Sequence, residues 1–214
     1  MGPVWTIVVA AGSATRFGRP KQYEPLGDRR VLDWSLRAAR STSDGVVLVV
    51  APDHVDSPEP GADHVVAGQA TRSGSVRAGL DAVPDDAHVV LVHDGARPLA
   101  GSDLFGAVVA ALSQGADAVV PAVPVVDTVR SRTTGVVDRS DLVVVQTPQA
   151  FDAAALRAAH VAGDEGTDDA SLVEANGGSV LLVPGTPTNL KITYPTDLLV
   201  AEALLPAVTY GDEP

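Results

Sequence analysis

The chain has 214 residues, enough for a substantial buried core, and we interpret residues 1–214 as one domain. Its formal net charge of −12 argues against a nucleic acid as partner, because a polyanion requires a basic surface. Cysteine is absent, and no apolar run approaches the roughly 20 residues that span a bilayer. We therefore expect no disulfide, no membrane partner and a cytoplasmic location.

Short Val-rich runs alternate with segments of helical periodicity in the first part of the chain. The periodicity predicts helices around residues 31–39, 76–83 and 104–112. The runs predict five strands: Thr6–Ala10, Val46–Ala51, His64–Val66, His88–Val92 and Ala118–Val123. Such alternation is typical of a parallel sheet covered by helices. With right-handed crossovers it predicts an α/β fold with a Rossmann-like, doubly wound, mostly parallel sheet.

Residues 124–146 interrupt this alternation. Two Val-rich segments, residues 125–130 and 136–145, flank a polar turn and predict a β-hairpin arm that projects from the sheet. A two-stranded arm is only marginally stable alone and leaves its edges open. We therefore expect it to pack on a second subunit, in a homodimer that exchanges arms.

The remaining chain predicts a further alternation of helices and strands. Helices are expected at residues 153–162, 169–174 and 195–205, and strands at residues 180–183 and 189–193. Thr167 is a good candidate for the N-cap of the second of these helices.

Lysine is rare, with two residues against thirteen arginines. A compact ammonium donates in any direction, which a planar guanidinium does not imitate. Lys21 ends a Gly-containing loop after the first strand, and Arg16 and Arg19 precede it. In an open α/β sheet this is where phosphate binds, although the loop fits neither the Walker nor the dinucleotide pattern. The alternative interpretation is a solvated basic loop.

Asp94 ends a buried run and is followed by the small residues Gly95 and Ala96. A carboxylate at this place suits a divalent cation or a hydroxyl, and a turn-capping Asp is the alternative. We interpret His93 as a packed strand-end histidine without a chemical role.

The segment 68–76 has two readings of equal weight. Ser73 is a candidate N-cap of the following helix, whereas Arg72 and Ser75 are placed to contact a base or a phosphate at the helix start.

Ten segments occur together in a recognisable order. They are residues 10–12, 16, 20–23, 25–26, 68–76, 93–98, 127–128, 146–149, 167–171 and 189–193. In this order they resemble the 2-C-methyl-D-erythritol 4-phosphate cytidylyltransferase family over nearly the whole chain. The resemblance implies a nucleotidyltransferase fold and a homodimer. It also implies transfer of CMP from CTP to methylerythritol phosphate with release of pyrophosphate, in non-mevalonate isoprenoid synthesis, with Mg²⁺ as cofactor.

The resemblance also implies roles for individual residues. The expected catalytic residues are Arg16, Lys21, Arg139, Lys191 and Asp94. The expected CTP contacts are Ala10, Ala11, Gly12, Gly68, Arg72, Ser75 and Gly95. The expected acceptor contacts are Arg97, Thr128, Thr147 and Thr167. Asp94 is the candidate Mg²⁺ contact, directly or through water or phosphates. Arg139 and Thr128 are expected to reach the acceptor pocket of the other protomer.

The chain departs from the family pattern at Ala14, Gln69 and Val143, which concerns details of base contact and arm packing. Two alternatives remain open. A ribitol 5-phosphate cytidylyltransferase shares the fold and the nucleotide loop, and a non-catalytic nucleotide-binding module is a candidate of another class.

Overall fold

The computed structural model describes residues 2–12, 16–161 and 165–211. Within these ranges twelve strands are present: β1 (Val4–Val9), β2 (Pro25–Leu26), β3 (Arg29–Arg30), β4 (Gly45–Val50), β5 (His64–Ala67), β6 (Val89–Asp94), β7 (Ala118–Pro124), β8 (Val129–Ser131), β9 (Gly135–Val137), β10 (Val143–Val145), β11 (Gln149–Asp152) and β12 (Val180–Pro184). The same ranges contain six α-helices: α1 (Val31–Arg40), α2 (Arg72–Leu80), α3 (Ser102–Leu112), α4 (Ala153–Val161), α5 (Asp169–Ala175) and α6 (Pro195–Leu204). The predicted strands and helices up to residue 124 are confirmed, with ends displaced by a few residues.

The main sheet has the order β10-β7-β11-β6-β1-β4-β5, and β12 also pairs with β7. Strands β6, β1, β4 and β5 are mutually parallel, whereas β11 runs antiparallel to both β6 and β7. This arrangement confirms the predicted mostly parallel α/β sheet, and β11 is a strand that the sequence interpretation did not include.

The helices cover both faces of the sheet, which explains the continuous apolar runs. Every residue of β4 and β6 is buried, as expected for strands covered on both sides. One core cluster joins α1 and α3 to the sheet, through Leu36 and Phe105 among others. The opposite cluster joins α2, α4 and α5, for example through Leu80 and Leu156. No helix in the described ranges is long and apolar enough to cross a bilayer.

The arm is shorter than predicted. Its hairpin consists of β8 and β9 only, which form a separate two-stranded sheet. Residues 143–145, which were assigned to the returning arm strand, instead form β10 and pair antiparallel with β7. The prediction of one strand over 136–145 was wrong because residues 138–142 leave the extended conformation, with a turn closed by Leu142 N–H donating to the Arg139 carbonyl.

Residues 189–193 form an irregular segment, so the predicted strand is wrong. The chain turns locally, with Asn189 N–H donating to the Thr186 carbonyl, and Ile192 N–H donates to the Ala96 carbonyl, in the segment after β6, at 2.8 Å. Ile192 is fully buried in a third cluster with Phe17 and Trp34. The apolar residue that suggested a strand therefore anchors a loop.

Candidate active site

A cleft of about 530 Å³ opens at the carboxyl ends of β1 and β6. The loop after β1, the last residue of β6 and the start of α2 meet there, because parallel strands end at the same edge of a sheet. Predicted residues that line the cleft are Ala10, Ala11, Gly12, Arg16, Lys21, Arg72, Ser75, Asp94 and Lys191. The phosphate loop, the strand-end carboxylate and both lysines therefore share one cavity.

Asp94 is the centre of the charged groups in the cleft. Lys191 Nζ donates to Asp94 Oδ2 at 2.8 Å, Arg97 Nε lies 3.5 Å from the same oxygen, and Arg72 Nε lies 3.8 Å from Oδ1. Burial by itself raises the pKa of Asp94, but these three cations outweigh it and hold the pKa below its usual range. The carboxylate is therefore ionised and already oriented.

Lys21 lies in a one-turn 3₁₀ helix, Lys21–Tyr23, that is tied to the end of β1. The tie is Gln22, which is buried and donates its Nε2 hydrogen to the Ala10 carbonyl at 2.8 Å. Burial lowers the pKa of Lys21, and the positive charges of Lys191 and Arg16 lower it further. Cations that repel each other in this way favour a bound polyanion, which relieves the repulsion.

Arg19 does not join these cations. Its side chain is exposed and pairs with Glu24, with Nε 2.6 Å from Oε1. The sequence grouped Arg19 with Arg16 and Lys21, but only the latter two line the cleft.

The segment that carries Lys191 is held by buried polar contacts. Asn189 is fully buried and donates its Nδ2 hydrogen to the Thr147 carbonyl at 3.0 Å. Its own carbonyl accepts from Arg97 Nη1 at 2.8 Å. These bonds fix an irregular loop against the residues that follow β6, so Lys191 projects from a rigid support.

The start of α2 corrects one prediction. Thr71, and not Ser73, is the N-cap, since its Oγ1 accepts from Gly74 N at 3.0 Å. Ser75 lines the cleft and bonds to its own loop, donating to the Thr71 carbonyl at 2.9 Å and accepting from Gln69 N at 3.0 Å. The hydroxyl therefore holds the shape of a loop that lines the cleft.

Gly68 and Gly95 lie behind the cleft and allow its walls to approach each other. A Cβ on Gly68 would stand 2.3 Å from the Cβ of Ala11, and one on Gly95 would stand 3.3 Å from the Cβ of Ala10. Their predicted role in the CTP site is thus indirect in this geometry, through the backbone path that their size permits.

Besides Gly68 and Gly95, five further predicted residues lie outside the cleft lining of this protomer. Thr128 and Arg139 are exposed on the arm, and Arg139 Nη1 donates to the Val125 carbonyl. Arg97 is partly buried behind Asp94. Thr147 is buried, and its Oγ1 accepts from Asp94 N at 2.9 Å, so it positions the strand-end carboxylate. Thr167 is exposed in a bend.

Thr167 is also not the N-cap that the sequence suggested for α5. Asp168 takes that place, because its Oδ1 accepts from Ser171 N at 3.0 Å. An ionised carboxylate is also favoured by the helix dipole at that position.

A family model described as IspD, 2-C-methyl-D-erythritol 4-phosphate cytidylyltransferase, matches residues 4–207. The chain belongs to this family. Membership confirms the predicted class of enzyme, a cytidylyltransferase of isoprenoid biosynthesis.

Individual relatives agree with this assignment. The 2-C-methyl-D-erythritol 4-phosphate cytidylyltransferase of Rhodococcus opacus is 45% identical over 217 residues, covering 95% of this chain and 96% of the relative. A bifunctional enzyme IspD/IspF of Solidesulfovibrio magneticus is 43% identical, and the match covers 96% of this chain but 58% of that longer protein. The crystal structure of the Thermus thermophilus 2-C-methyl-D-erythritol 4-phosphate cytidylyltransferase superposes with a TM-score of 0.82 at 37% identity, covering 94% of this chain and 98% of the other.

The departures from the IspD family pattern fall in three different settings. Gln69 lines the cleft. Val143 is 43% exposed in β10. Ala14 lies outside the described residues.

Several residues of this IspD-family site were not singled out from the sequence. Phe17, Gln22, Thr71, Ala96 and Thr193 line the cleft. The signal for Gln22 was its place beside Lys21, within the segment 20–23 of the family resemblance. Thr193 gave no comparable signal, because only the loop conformation of its segment brings it to the cleft.

The described residues offer few ligands for a metal ion. They contain no group of three or more His, Asp or Glu side chains arranged to hold one. Asp94 is the carboxylate that faces the cleft. A single carboxylate fits Mg²⁺ in a nucleotide site, since this ion is commonly held by one or two carboxylates together with substrate phosphates and water.

His93 gives a pH-dependent contribution to stability. It is fully buried beside Phe105 and shares a hydrogen bond with Thr147 Oγ1, and burial lowers its pKa to about 3. The unfolded chain takes up this proton below about pH 6.5, whereas the folded chain does not, so stability is complete above that pH and falls as the pH decreases.

We expect the contribution of His93 to the free energy of unfolding, measured with urea, to fall by about 2 kcal/mol between about pH 7 and pH 5. His93→Gln should remove that part of the pH dependence, whereas His88→Gln, at an exposed histidine, should keep it. Equal pH profiles for wild type and His93→Gln would show that this histidine does not contribute.

Proposed function

We propose that this chain joins CTP to 2-C-methyl-D-erythritol 4-phosphate and releases pyrophosphate. The observation that supports it is the convergence of Arg16, Lys21 and Lys191 around Asp94 in one cleft beside the loop after β1. Phosphoryl transfer needs little covalent chemistry from the protein, and is accelerated by positioning and by neutralising charge on the transferred group.

In the proposed reaction an oxygen of the acceptor phosphate attacks the α-phosphorus of CTP. A new P–O bond forms, the bond to the β-phosphate bridging oxygen breaks, and pyrophosphate leaves. Lys21 and Arg16 are the groups proposed to stabilise charge on the α-phosphate. Lys191, which projects from the rigid loop on the other side of Asp94, is proposed to hold the acceptor phosphate.

The nucleotide is assigned to the wall formed by the loop after β1 and the start of α2. Ala11 and Gly12 offer backbone groups there, and Ser75 keeps the α2 loop in the conformation that faces the base. Mg²⁺, held by Asp94 and the substrate phosphates, would neutralise part of the triphosphate charge.

We further propose a homodimer in which the arm completes the acceptor site of the partner subunit. Arm residues Thr128 and Arg139 do not line the cleft of their own protomer. The arm exposes apolar side chains, with Val126 78% and Val136 65% exposed. Strand β10, which follows the arm, is exposed as well. Such surfaces are normally covered by a partner.

The substrate assignment is tested by a panel of acceptors with all four nucleoside triphosphates, with pyrophosphate release as the measurement. CTP with methylerythritol phosphate should exceed every other pair in kcat/KM by at least about tenfold, or ~1.4 kcal/mol in the transition state. Chelation with EDTA should abolish the activity, and added Mg²⁺ should restore it.

Other outcomes of the panel select the alternatives. Faster turnover of ribitol 5-phosphate would make that the acceptor and leave the fold and nucleotide site unchanged. Nucleotide binding without pyrophosphate release from any pair would indicate a non-catalytic module.

A further inference from the structure

A segment far along the chain packs against the start of α2. Residues 165–169 lead into α5, which begins at Asp169, yet Glu165 Oε1 accepts from Thr71 Oγ1 at 2.9 Å and from Arg77 Nη2 at 2.9 Å. Gly166 N donates to Ser73 Oγ at 3.1 Å. The loop proposed to face the nucleotide therefore contacts the same segment that contains Thr167, a proposed acceptor contact.

The shortest of these contacts is a buried ion pair. Asp169 is fully buried, and its Oδ2 accepts from Arg72 Nη1 at 2.7 Å. Its other oxygen lies 3.1 Å from His160 Nε2. Arg72 in turn lines the cleft, with its Nε 3.8 Å from Asp94 Oδ1. The Arg72 guanidinium therefore lies between two carboxylates, Asp169 behind α2 and Asp94 in the cleft.

Burying a carboxylate costs free energy, and a well-packed apolar side chain commonly serves stability as well as a buried ion pair does. Stability alone therefore does not account for a carboxylate at Asp169. What the pair does provide is orientation, because a hydrogen-bonded guanidinium loses the rotamer freedom of a free arginine. Burial lowers the pKa of Arg72, but Asp169 and Asp94 outweigh it and the pKa is raised, so the cation stays charged.

We propose that Asp169 is a positioning residue that holds the Arg72 guanidinium at the nucleotide wall of the cleft and links the 165–169 segment to CTP binding. The inference rests on the proposed function, since it assigns that wall to CTP. Without Asp169, Asp94 and Asp168 are carboxylates that remain near Arg72, and the guanidinium is free to turn towards Asp94 in the cleft. The CTP site then loses its shape while the groups around the α-phosphate stay in place.

The test is a double-mutant cycle with Asp169→Asn, Arg72→Ala and the combined variant, in which KM for CTP and kcat are measured. Each single change should raise KM for CTP about tenfold with kcat within about twofold, as expected for loss of ground-state binding. If Asp169 acts through Arg72, the combined variant should have the same KM as Arg72→Ala alone. Multiplying effects, or an unchanged KM in Asp169→Asn, would overturn the proposal.

Glu165→Gln is the matched control. It removes the exposed ionic contact between the same segment and α2 without touching Arg72, so KM for CTP should stay within about twofold of wild type. A merely structural role of Asp169 would lower Tm in Asp169→Asn without separating KM from kcat. If Asp169→Asn does not fold, Arg72→Lys tests the same ion pair by changing the cation. An ammonium cannot bridge two carboxylates as a guanidinium does, so KM for CTP should rise. An unchanged KM in that variant would overturn the proposal.

Calorimetric titration of each variant with CTP in the absence of acceptor separates this inference from the proposed function. Wild type that binds CTP but turns over no acceptor would refute the proposed function and leave the binding comparison intact. Wild type that binds no CTP would overturn both.

Discussion

Lys21→Ala is expected to lower kcat by about 10²–10³-fold, the usual loss for one preorganised group that stabilises developing charge. Lys21 is half-buried, is tied to β1 through Gln22 and lies among other cations of the cleft. Its removal therefore takes away a fixed charge that solvent cannot replace. Lys21→Arg should recover only part of the rate, because the planar fork has a different reach and geometry. The measurement is steady-state pyrophosphate release at saturating CTP.

The matched control for this variant is Arg19→Ala. Arg19 belongs to the same basic segment but pairs with Glu24 in solvent and does not line the cleft. It should keep wild-type kcat, and a loss equal to that of Lys21→Ala would mean that general basicity of the loop matters. Wild-type kinetics in Lys21→Ala would refute the proposed role of Lys21.

Lys191→Ala should raise the KM for the acceptor more than it lowers kcat, because the proposed partner of Lys191 is the acceptor phosphate.

A heterodimer of an Arg139→Ala subunit with a Lys21→Ala subunit is expected to recover activity that neither mutant homodimer has. If the arm reaches the partner's cleft, each site combines Lys21 of one subunit with Arg139 of the other. One site of this heterodimer then lacks both side chains, and the other site has both. The recovered rate should approach about half of wild type, since one of the two sites of a two-fold dimer works. Co-expression with different tags and purification of the doubly tagged species provides the sample.

The decisive comparison for the shared site is with each mutant homodimer under the same conditions. A doubly tagged heterodimer no more active than the homodimers would refute arm exchange. A monomer in solution, observed by light scattering, would remove its basis. A matched control is Arg132→Ala in place of Arg139→Ala. Arg132 lies in the exposed turn of the hairpin. The Arg132→Ala homodimer should therefore be active by itself, without pairing with a different mutant subunit.

The sequence by itself determined the layered fold and the location of the cleft. Runs such as Val46–Ala51 are too apolar for a strand with a solvated face, so they required helices on both sides, and the buried β4 has them. The order of the strands then places the loop with Lys21 beside Asp94, because parallel strands deliver their carboxyl ends to one edge. Lysine is rare in this chain, with two residues against thirteen arginines, and both lysines line that cavity.

Only the tertiary structure decided contacts between residues distant in sequence. Helix caps depend on the residue at which the helix actually begins, so Thr71 and Asp168 replaced the neighbours that composition equally allowed. The segment with Lys191 has a strand-like composition, but it is a loop because burial of Ile192 and the bonds of Asn189 outweigh its β-propensity.

The pair Arg72–Asp169 shows the limit most clearly. The two residues are 97 positions apart, and the local pattern around Asp169 indicates only a residue in the first turn of a short helix. Its burial arises from the packing of α5 against α4 and the sheet, and its partner is set by the docking of residues 165–169 on α2. A buried charge is stable only where an opposite charge lies beside it. Here the tertiary packing places Arg72 beside Asp169, which the local sequence does not determine.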